Sequence, residues 1–194
     1  KVRIDDDIVI MRVTTFNEQT IPNLEDGMKA TLKKTGVNQP KGFVLDLRNN
    51  PGGLLSVAIS VTDLFLDQGE IVSTRDREGK GERYKASKGD IANGKPLIIL
   101  INAGSASASE IVAGALQDHQ RAIVLGTKSF GKGSVQSVLP MGQSGGIRLT
   151  TARYYTPSGR SIQALGVTPD VFLEFKRVEE KEEEKRRTFS EADL

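Results

Sequence analysis

Three short, nearly continuous apolar runs dominate the pattern of this chain, and segments with helical spacing separate them. The apolar runs are residues 42–48, 96–102 and 122–126. Such runs are typical of strands that are buried on both faces of a parallel sheet. Apolar residues recur every three or four positions in residues 21–34, 54–66 and 110–118, which predicts helices. This alternation predicts an α/β fold with a mainly parallel sheet and right-handed βαβ crossovers.

Other segments predict strands outside this alternation. Residues 8–14 have the apolar and β-branched character of a strand. Residues 70–75 and 82–86 resemble a charged, exposed hairpin, and residues 135–139 and 146–155 predict additional antiparallel strands.

The chain ends in a segment of different composition. Residues 177–194 contain seven acidic and five basic side chains, and such a segment is expected to be a solvated tail rather than a functional site. We therefore predict one domain over residues 1–176 and a charged tail over residues 177–194.

The composition narrows the chemistry that this domain can perform. Lys and Arg number 27 against 25 Asp and Glu, a net charge of +2 that gives no indication of nucleic-acid binding. The 194 residues contain no Cys and one His, which excludes Cys-based zinc sites, thiolate nucleophiles and multi-histidine metal sites. We expect no metal and no cofactor. We find no signal peptide and no apolar run of about 18 residues, and the sequence leaves membrane association open.

Residues 103–110 form a candidate nucleophile segment, because a buried strand is followed by small residues and then by a helix. A serine here would lie at a strand-to-helix turn, where the free N–H groups and dipole of the helix favour an oxyanion. The pair Ser107 and Glu110 also matches a capping box, in which the serine only caps the helix. The segment itself does not distinguish Ser107 from Ser105 and Ser109.

Residues 126–136 begin like a phosphate-binding loop, with the pattern GxxxxGK ending at Lys132. Gly133 then stands where such a loop has a Ser or Thr, and the following residues favour a strand instead of a helix. The remaining interpretations are a glycine-rich loop with an exposed lysine, or a loop that presents a catalytic lysine.

Two further features bear on catalysis. Residues 50–53, Asn-Pro-Gly-Gly, follow a buried strand and form either an ordinary turn or a turn that donates a backbone N–H to an oxyanion. The single His119 lies 12 residues beyond Ser107, about 18 Å along one helix, so it cannot reach that serine. If a serine is the nucleophile, its base must be another residue, and a lysine is the obvious candidate.

Taken together, these segments resemble the C-terminal processing peptidases, or tail-specific proteases, which are Ser-Lys serine proteases with a ClpP/crotonase-like fold. The matching stretches are residues 46–55, 102–116, 126–136 and 150–171. The resemblance implies Ser107 as nucleophile, Lys132 as general base and Gln136 as the residue that orients the lysine. It also implies that the backbone N–H groups of Gly53 and Ala108 form the oxyanion hole.

In this last assignment, Gly52 remains an alternative to Gly53. A lysine base must act in its neutral form, whereas an unperturbed lysine titrates near 10.4. The mechanism therefore requires an apolar pocket that Phe130 and the glycines beside Lys132 could provide.

The resemblance implies a serine endopeptidase that cleaves protein or peptide substrates near their C-termini through an acyl-enzyme. The alternatives are a crotonase-like acyl-transfer enzyme and an inactive fragment with the protease fold. Members of the family usually carry a PDZ domain, and we find no PDZ-like stretch, so we expect a core without that domain. The resemblance also implies a periplasmic or otherwise exported protein. Homo-oligomers are possible, and the sequence does not decide whether they form.

Overall fold

Three helices and ten strands lie in the part of the chain that the computed structural model describes, residues 1–37, 39–142 and 145–174. The helices are α1 (Thr20–Thr35), α2 (Leu55–Asp63) and α3 (Ala108–Asp118). The first strands are β1 (Val2–Asp5), β2 (Ile8–Arg12), β3 (Gly42–Asp46), β4 (Glu70–Arg75) and β5 (Arg83–Lys85). The remaining strands are β6 (Leu97–Ile101), β7 (Ile123–Gly126), β8 (Ser134–Pro140), β9 (Gly146–Tyr155) and β10 (Val171–Phe172).

The strands form two sheets. The first has the order β1-β2-β3-β6-β7-β10, and all of its neighbours are parallel except β1 and β2. The second has the order β5-β4-β9-β8 and is antiparallel throughout. The predicted α/β fold, a mainly parallel sheet with additional antiparallel strands, is therefore confirmed.

Several predicted elements differ in detail from the structure. The second helix ends at Asp63 instead of residue 66. The predicted hairpin at residues 70–86 exists, but its first strand is largely buried, with Ile71, Val72 and Ser73 almost fully covered. The short strands β1 and β10 were not predicted, since four and two residues carry little periodicity. The tail predicted over residues 177–194 lies outside the described residues.

Helix α3 is buried over all but its last two residues. Every residue from Ala108 to Leu116 is buried, including the polar Ser109 and Glu110. The helix packs against α2, β4 and β7, and a side chain at Gly114 would approach Thr156 to 2.9 Å. Small residues therefore allow neighbouring elements to enclose the helix, and its N-terminus has a fixed position.

The carboxyl ends of three parallel strands meet at one edge, where the turns that follow them are joined by hydrogen bonds. After β3, the N–H of Leu47 donates to the carbonyl of Leu100 at 2.9 Å. The hydroxyl of Ser105, after β6, donates to the carbonyl of Leu47 at 2.8 Å. The N–H of Phe130, after β7, donates to the carbonyl of Ser105 at 3.0 Å. The three segments that carry the candidate site residues are thus brought together.

Asp46 ties the ends of β2 and β3 together. Its side chain is almost fully buried and accepts hydrogen bonds from Arg12 and from two nitrogens of Arg48, each at 2.8 Å. Burial alone would raise the pKa of Asp46, but the hydrogen bonds and charge of Arg48, together with the charge of Arg12, lower this pKa below its ordinary value. The carboxylate is therefore held in its ionised form just before the turn at residues 50–53.

We expect Asp46→Asn to lower the free energy of unfolding by about 2–3 kcal/mol at pH 7, because two partly exposed arginines lose their charged partner. Since the pKa of Asp46 is lower in the folded than in the unfolded state, its stabilisation is complete above pH about 4 and is lost as the pH falls through the folded-state value. Urea denaturation between pH 7 and pH 3 measures both effects.

Asp5→Asn is the matched control, because the Asp5 carboxylate is exposed and lies 3.9 Å from Arg3. We expect a change within about 0.5 kcal/mol for this control. Equal losses of stability for the two variants at pH 7 would contradict the role assigned to Asp46.

Candidate active site

Ser107 occupies a strained turn between β6 and α3. Its φ and ψ angles are 54° and −113°, and a positive φ in a residue other than glycine persists only where the surroundings enforce it. The N–H of the preceding Ala106 donates to the carbonyl of Asn50 at 3.0 Å. The turn places Ser107, half-buried, at the N-terminus of the buried helix.

The structure separates the three serines that the sequence could not distinguish. Ser105 and Ser109 are fully buried, and their hydroxyls donate to the carbonyls of Leu47 and Asn50 at 2.8 and 2.9 Å. Both hydroxyl protons are therefore used in holding the fold. Ser107 is the more accessible of the three, so its hydroxyl is the one available to a substrate.

Glu110 connects the turn at residues 105–107, called the serine turn below, to the loop at residues 126–133, called the lysine loop. Its carboxylate is fully buried, and one oxygen accepts the N–H groups of Ser107 and Lys132, both at 2.8 Å. The other oxygen accepts the hydroxyl of Ser129 at 2.5 Å and the N–H of Gly131 at 2.7 Å. Burial raises the pKa of Glu110, while these four hydrogen bonds act in the opposite direction. The bond to Ser107 fits the predicted capping interaction, but the other three reach a different segment.

The lysine loop packs against residues 162–166. The N–H of Ala164 donates to the carbonyl of Gly131 at 2.7 Å, and the N–H of Gly133 donates to the side chain of Gln163 at 3.0 Å. A side chain at Gly133 would lie 2.3 Å from the backbone nitrogen of Gln163. The glycines beside Lys132 therefore permit close backbone contact. Lys132 itself is half-buried, and its amine forms no ion pair within the described residues.

The phosphate-loop interpretation does not fit this geometry. A phosphate loop needs free backbone N–H groups and a following helix. Here every N–H from residue 129 to residue 133 already has an acceptor within the protein. The segment that follows is strand β8. The N–H groups of residues 129–133, at the lysine end of the loop, are therefore not free to bind a phosphate.

The turn at residues 50–53 lies directly against Ser107. Asn50 is fully buried and holds the turn, since its side-chain amide donates to Val13 and its side-chain oxygen accepts the N–H of Gly52, both at 2.9 Å. The N–H of Gly52 is therefore occupied. Within residues 1–37, 39–142 and 145–174, no hydrogen bond engages the N–H groups of Gly53 and Ala108.

Two remaining residues lie apart from this cluster. The side-chain oxygen of Gln136, on the exposed part of β8, accepts a hydrogen bond from Arg148. His119 caps the far end of α3, and its Nε2 lies 2.6 Å from the carbonyl oxygen of Glu70. The structure brings Ser107, Lys132 and the free N–H groups together, and it does not place Gln136 or His119 in contact with them.

Sequence reasoning gave Glu110 only a capping role and gave Asn50 none. The spacing of three residues from Ser107 identified the helix cap, but the pattern contained no signal for the bonds from Gly131 and Lys132. Among the described residues, no group of three His, Asp or Glu side chains converges in a way that could hold a metal ion. None of the described helices is both long and apolar enough to cross a membrane.

Comparison with known proteins connects this geometry to a protein family. The model of peptidase family S41 matches residues 7–173. A carboxy-terminal-processing protease of Bartonella bacilliformis is 57% identical over 175 residues, which are 90% of this chain and 40% of that protein. The carboxy-terminal processing protease CtpA of Bacillus subtilis is 37% identical over 171 residues, 88% of this chain and 36% of that protein.

A solved structure gives the same result. The photosystem II D1 C-terminal processing protease superposes with a TM-score of 0.79 at 39% identity, covering 86% of this chain and 42% of that one. The chain thus spans less than half the length of these relatives.

Gly52→Ala tests how closely the turn at residues 50–53 fits the serine turn. Gly52 has a φ of 106°, and an added Cβ would lie 2.8 Å from the carbonyl oxygen of Ala106 and 2.9 Å from the Cβ of Ser107. We expect a loss of about 3 kcal/mol in the free energy of unfolding, from backbone strain and the clash combined. Denaturant unfolding measures the loss, and amide exchange at residues 106–108 detects the displacement.

Gly79→Ala is the matched control, because Gly79 has a φ of 81° with no atom within 4 Å of the added Cβ. It incurs the backbone strain alone, about 1 kcal/mol. If the two variants lose the same stability, the two turns are not in tight contact.

Proposed function

This chain belongs to peptidase family S41, and on that premise we propose that it is the catalytic core of a serine endopeptidase with Ser107 as nucleophile and Lys132 as general base. The observation that carries the proposal is the shared acceptor at Glu110. The N–H groups of Ser107 and Lys132, 25 residues apart in sequence, both bind one carboxylate oxygen at 2.8 Å. Their two nitrogens are no further apart than twice that distance.

In this mechanism the neutral amine of Lys132 removes the proton of the Ser107 hydroxyl as its oxygen attacks the substrate carbonyl. The N–H groups of Gly53 and Ala108 stabilise the oxyanion, since both are unoccupied and Ala108 opens a helix. The C–N bond then breaks, and the amine leaves with the proton that the lysine carried. Water, deprotonated by the same lysine, hydrolyses the resulting acyl-enzyme.

The occupied N–H of Gly52 supports Gly53 as the first oxyanion donor. We also propose that Gln136 orients Lys132, although its side chain binds Arg148 in this structure. That role requires Gln136 to exchange Arg148 for the lysine amine when the site is assembled with substrate.

The relatives' names support a finer proposal about substrates. Because two of the similar proteins are carboxy-terminal processing proteases, we propose that this core cleaves protein substrates near their C-termini. A periplasmic or otherwise exported location and self-association stay predictions. The alternative of a crotonase-like acyl-transfer enzyme would share the fold without needing the Ser-Lys pair, and the family match favours the peptidase.

We expect Ser107→Ala and Lys132→Ala each to abolish cleavage of a quenched fluorescent peptide by the full-length protein, a loss of at least about 10³-fold. A fluorophosphonate probe should label Ser107 in the wild-type protein, as detected by intact mass, and Lys132→Ala should remove this labelling. Circular dichroism should show that both variants retain the fold.

Lys128→Ala is the matched control, because Lys128 is an exposed lysine on the same loop. We expect wild-type cleavage from this variant. Near-wild-type turnover in Ser107→Ala or Lys132→Ala would overturn the proposal. Absence of both labelling and cleavage in the wild-type protein would favour the inactive-fragment alternative.

A further inference from the structure

The proposed mechanism gives no role to the most heavily hydrogen-bonded side chain at the site, the buried carboxylate of Glu110. A helix cap needs only one bond, from the N–H of Ser107 to the carboxylate, and an exposed glutamate could accept it. Here the carboxylate is fully buried and accepts four hydrogen bonds. Three of them come from the lysine loop, so capping does not explain the arrangement.

The energetic cost of this arrangement shows what it must achieve. A buried carboxylate without a cationic partner costs several kcal/mol unless hydrogen bonds satisfy its oxygens. Among the described residues no cation forms an ion pair with Glu110. The four donors therefore have to stay in place, and displacement of either the serine turn or the lysine loop would leave the carboxylate oxygens unsatisfied.

Ser129 extends this network to a third segment. Its hydroxyl oxygen accepts the N–H of Val167 at 2.7 Å, and the N–H of Ser129 donates to the carbonyl of Val167 at 3.1 Å. Because an N–H can only donate, the single hydroxyl proton of Ser129 is directed to Glu110. The donor and the acceptor of each bond at Ser129 are therefore known. Ser129 links the backbone of Val167 to the carboxylate of Glu110.

We propose that Glu110 and Ser129 are positioning residues of the Ser-Lys pair, which together hold the backbone of the nucleophile and the backbone of the base at a fixed separation. Neither touches the substrate. This inference rests on the proposed function. It predicts that disturbing the network reduces the rate of the chemical step while substrate binding is retained, since displacement of about 1 Å is enough to slow an oriented reaction.

The decisive variant is Ser129→Ala in the full-length protein. We expect kcat to fall about 10- to 100-fold while KM changes less than about threefold, with a parallel fall in the rate at which the fluorophosphonate probe labels Ser107. Ser129→Thr keeps the hydroxyl and should restore kcat to within about threefold of the wild-type value. Glu110→Gln places an amide donor opposite backbone N–H donors, which leaves some of them without an acceptor. We therefore expect a larger fall in kcat for this variant than for Ser129→Ala.

Thr62→Val is the matched control for loss of a buried hydroxyl. Thr62 lies in α2, is fully buried and donates to the carbonyl of Ala58 at 2.8 Å. Thermal unfolding of both variants shows whether they are destabilised to a similar degree. At similar destabilisation, Thr62→Val should keep the wild-type kcat and Ser129→Ala should not.

The outcomes separate this inference from the proposed function. If cleavage depends on Ser107 but Ser129→Ala and Ser129→Thr both keep the wild-type kcat, the positioning role is wrong and the proposed function stands. If Ser129→Ala loses activity only as much as Thr62→Val does, the hydroxyl has a purely structural role and the inference is overturned. If Ser107→Ala cleaves as well as the wild-type protein, the proposed function itself fails.

Discussion

Burial of residues 108–116 of α3 is the constraint on which the rest of this structure depends. A helix that is enclosed by α2, β4 and β7 cannot shift or fray at its N-terminus without opening the core. The Ser107 turn therefore has a rigid base, and its unfavourable backbone angles are held by packing. The same burial removes the side-chain oxygens of Glu110 from water, so that they depend on hydrogen bonds from neighbouring segments.

The fold could be predicted from the sequence because its central strands are short, apolar and separated by amphipathic helices. The elements that were missed or misjudged depend on tertiary contacts. The strand β10 is two residues long and forms only by pairing with β7, and the first strand of the hairpin is covered by other parts of the chain. Neither effect is visible in the periodicity of a single segment.

The candidate site, like the fold, could be predicted only in part from the sequence. The sequence places a group of serines and a lysine on neighbouring loops, but these segments by themselves did not distinguish Ser107 from the other serines, and only the family resemblance implied it. That distinction depends on bonds across the fold, such as the one from Ser109 to Asn50. The lysine loop resembles a phosphate loop in sequence, and only the acceptors of its N–H groups show that it binds other parts of the protein.

The bonds at Glu110 have a consequence for how such a chain can change over time. An α-helix turns by about 100° per residue, so a single insertion between Ser107 and Glu110 would rotate the carboxylate away from the lysine loop. A deletion between Glu110 and Leu116 would rotate the buried faces of α3 against their neighbours. Substitutions of exposed residues around the site do not change the spacing of residues along the helix. The number of residues in this stretch is therefore as strict a requirement as their identity, and insertions and deletions should be confined to surface segments such as the exposed hairpin turn at Gly79.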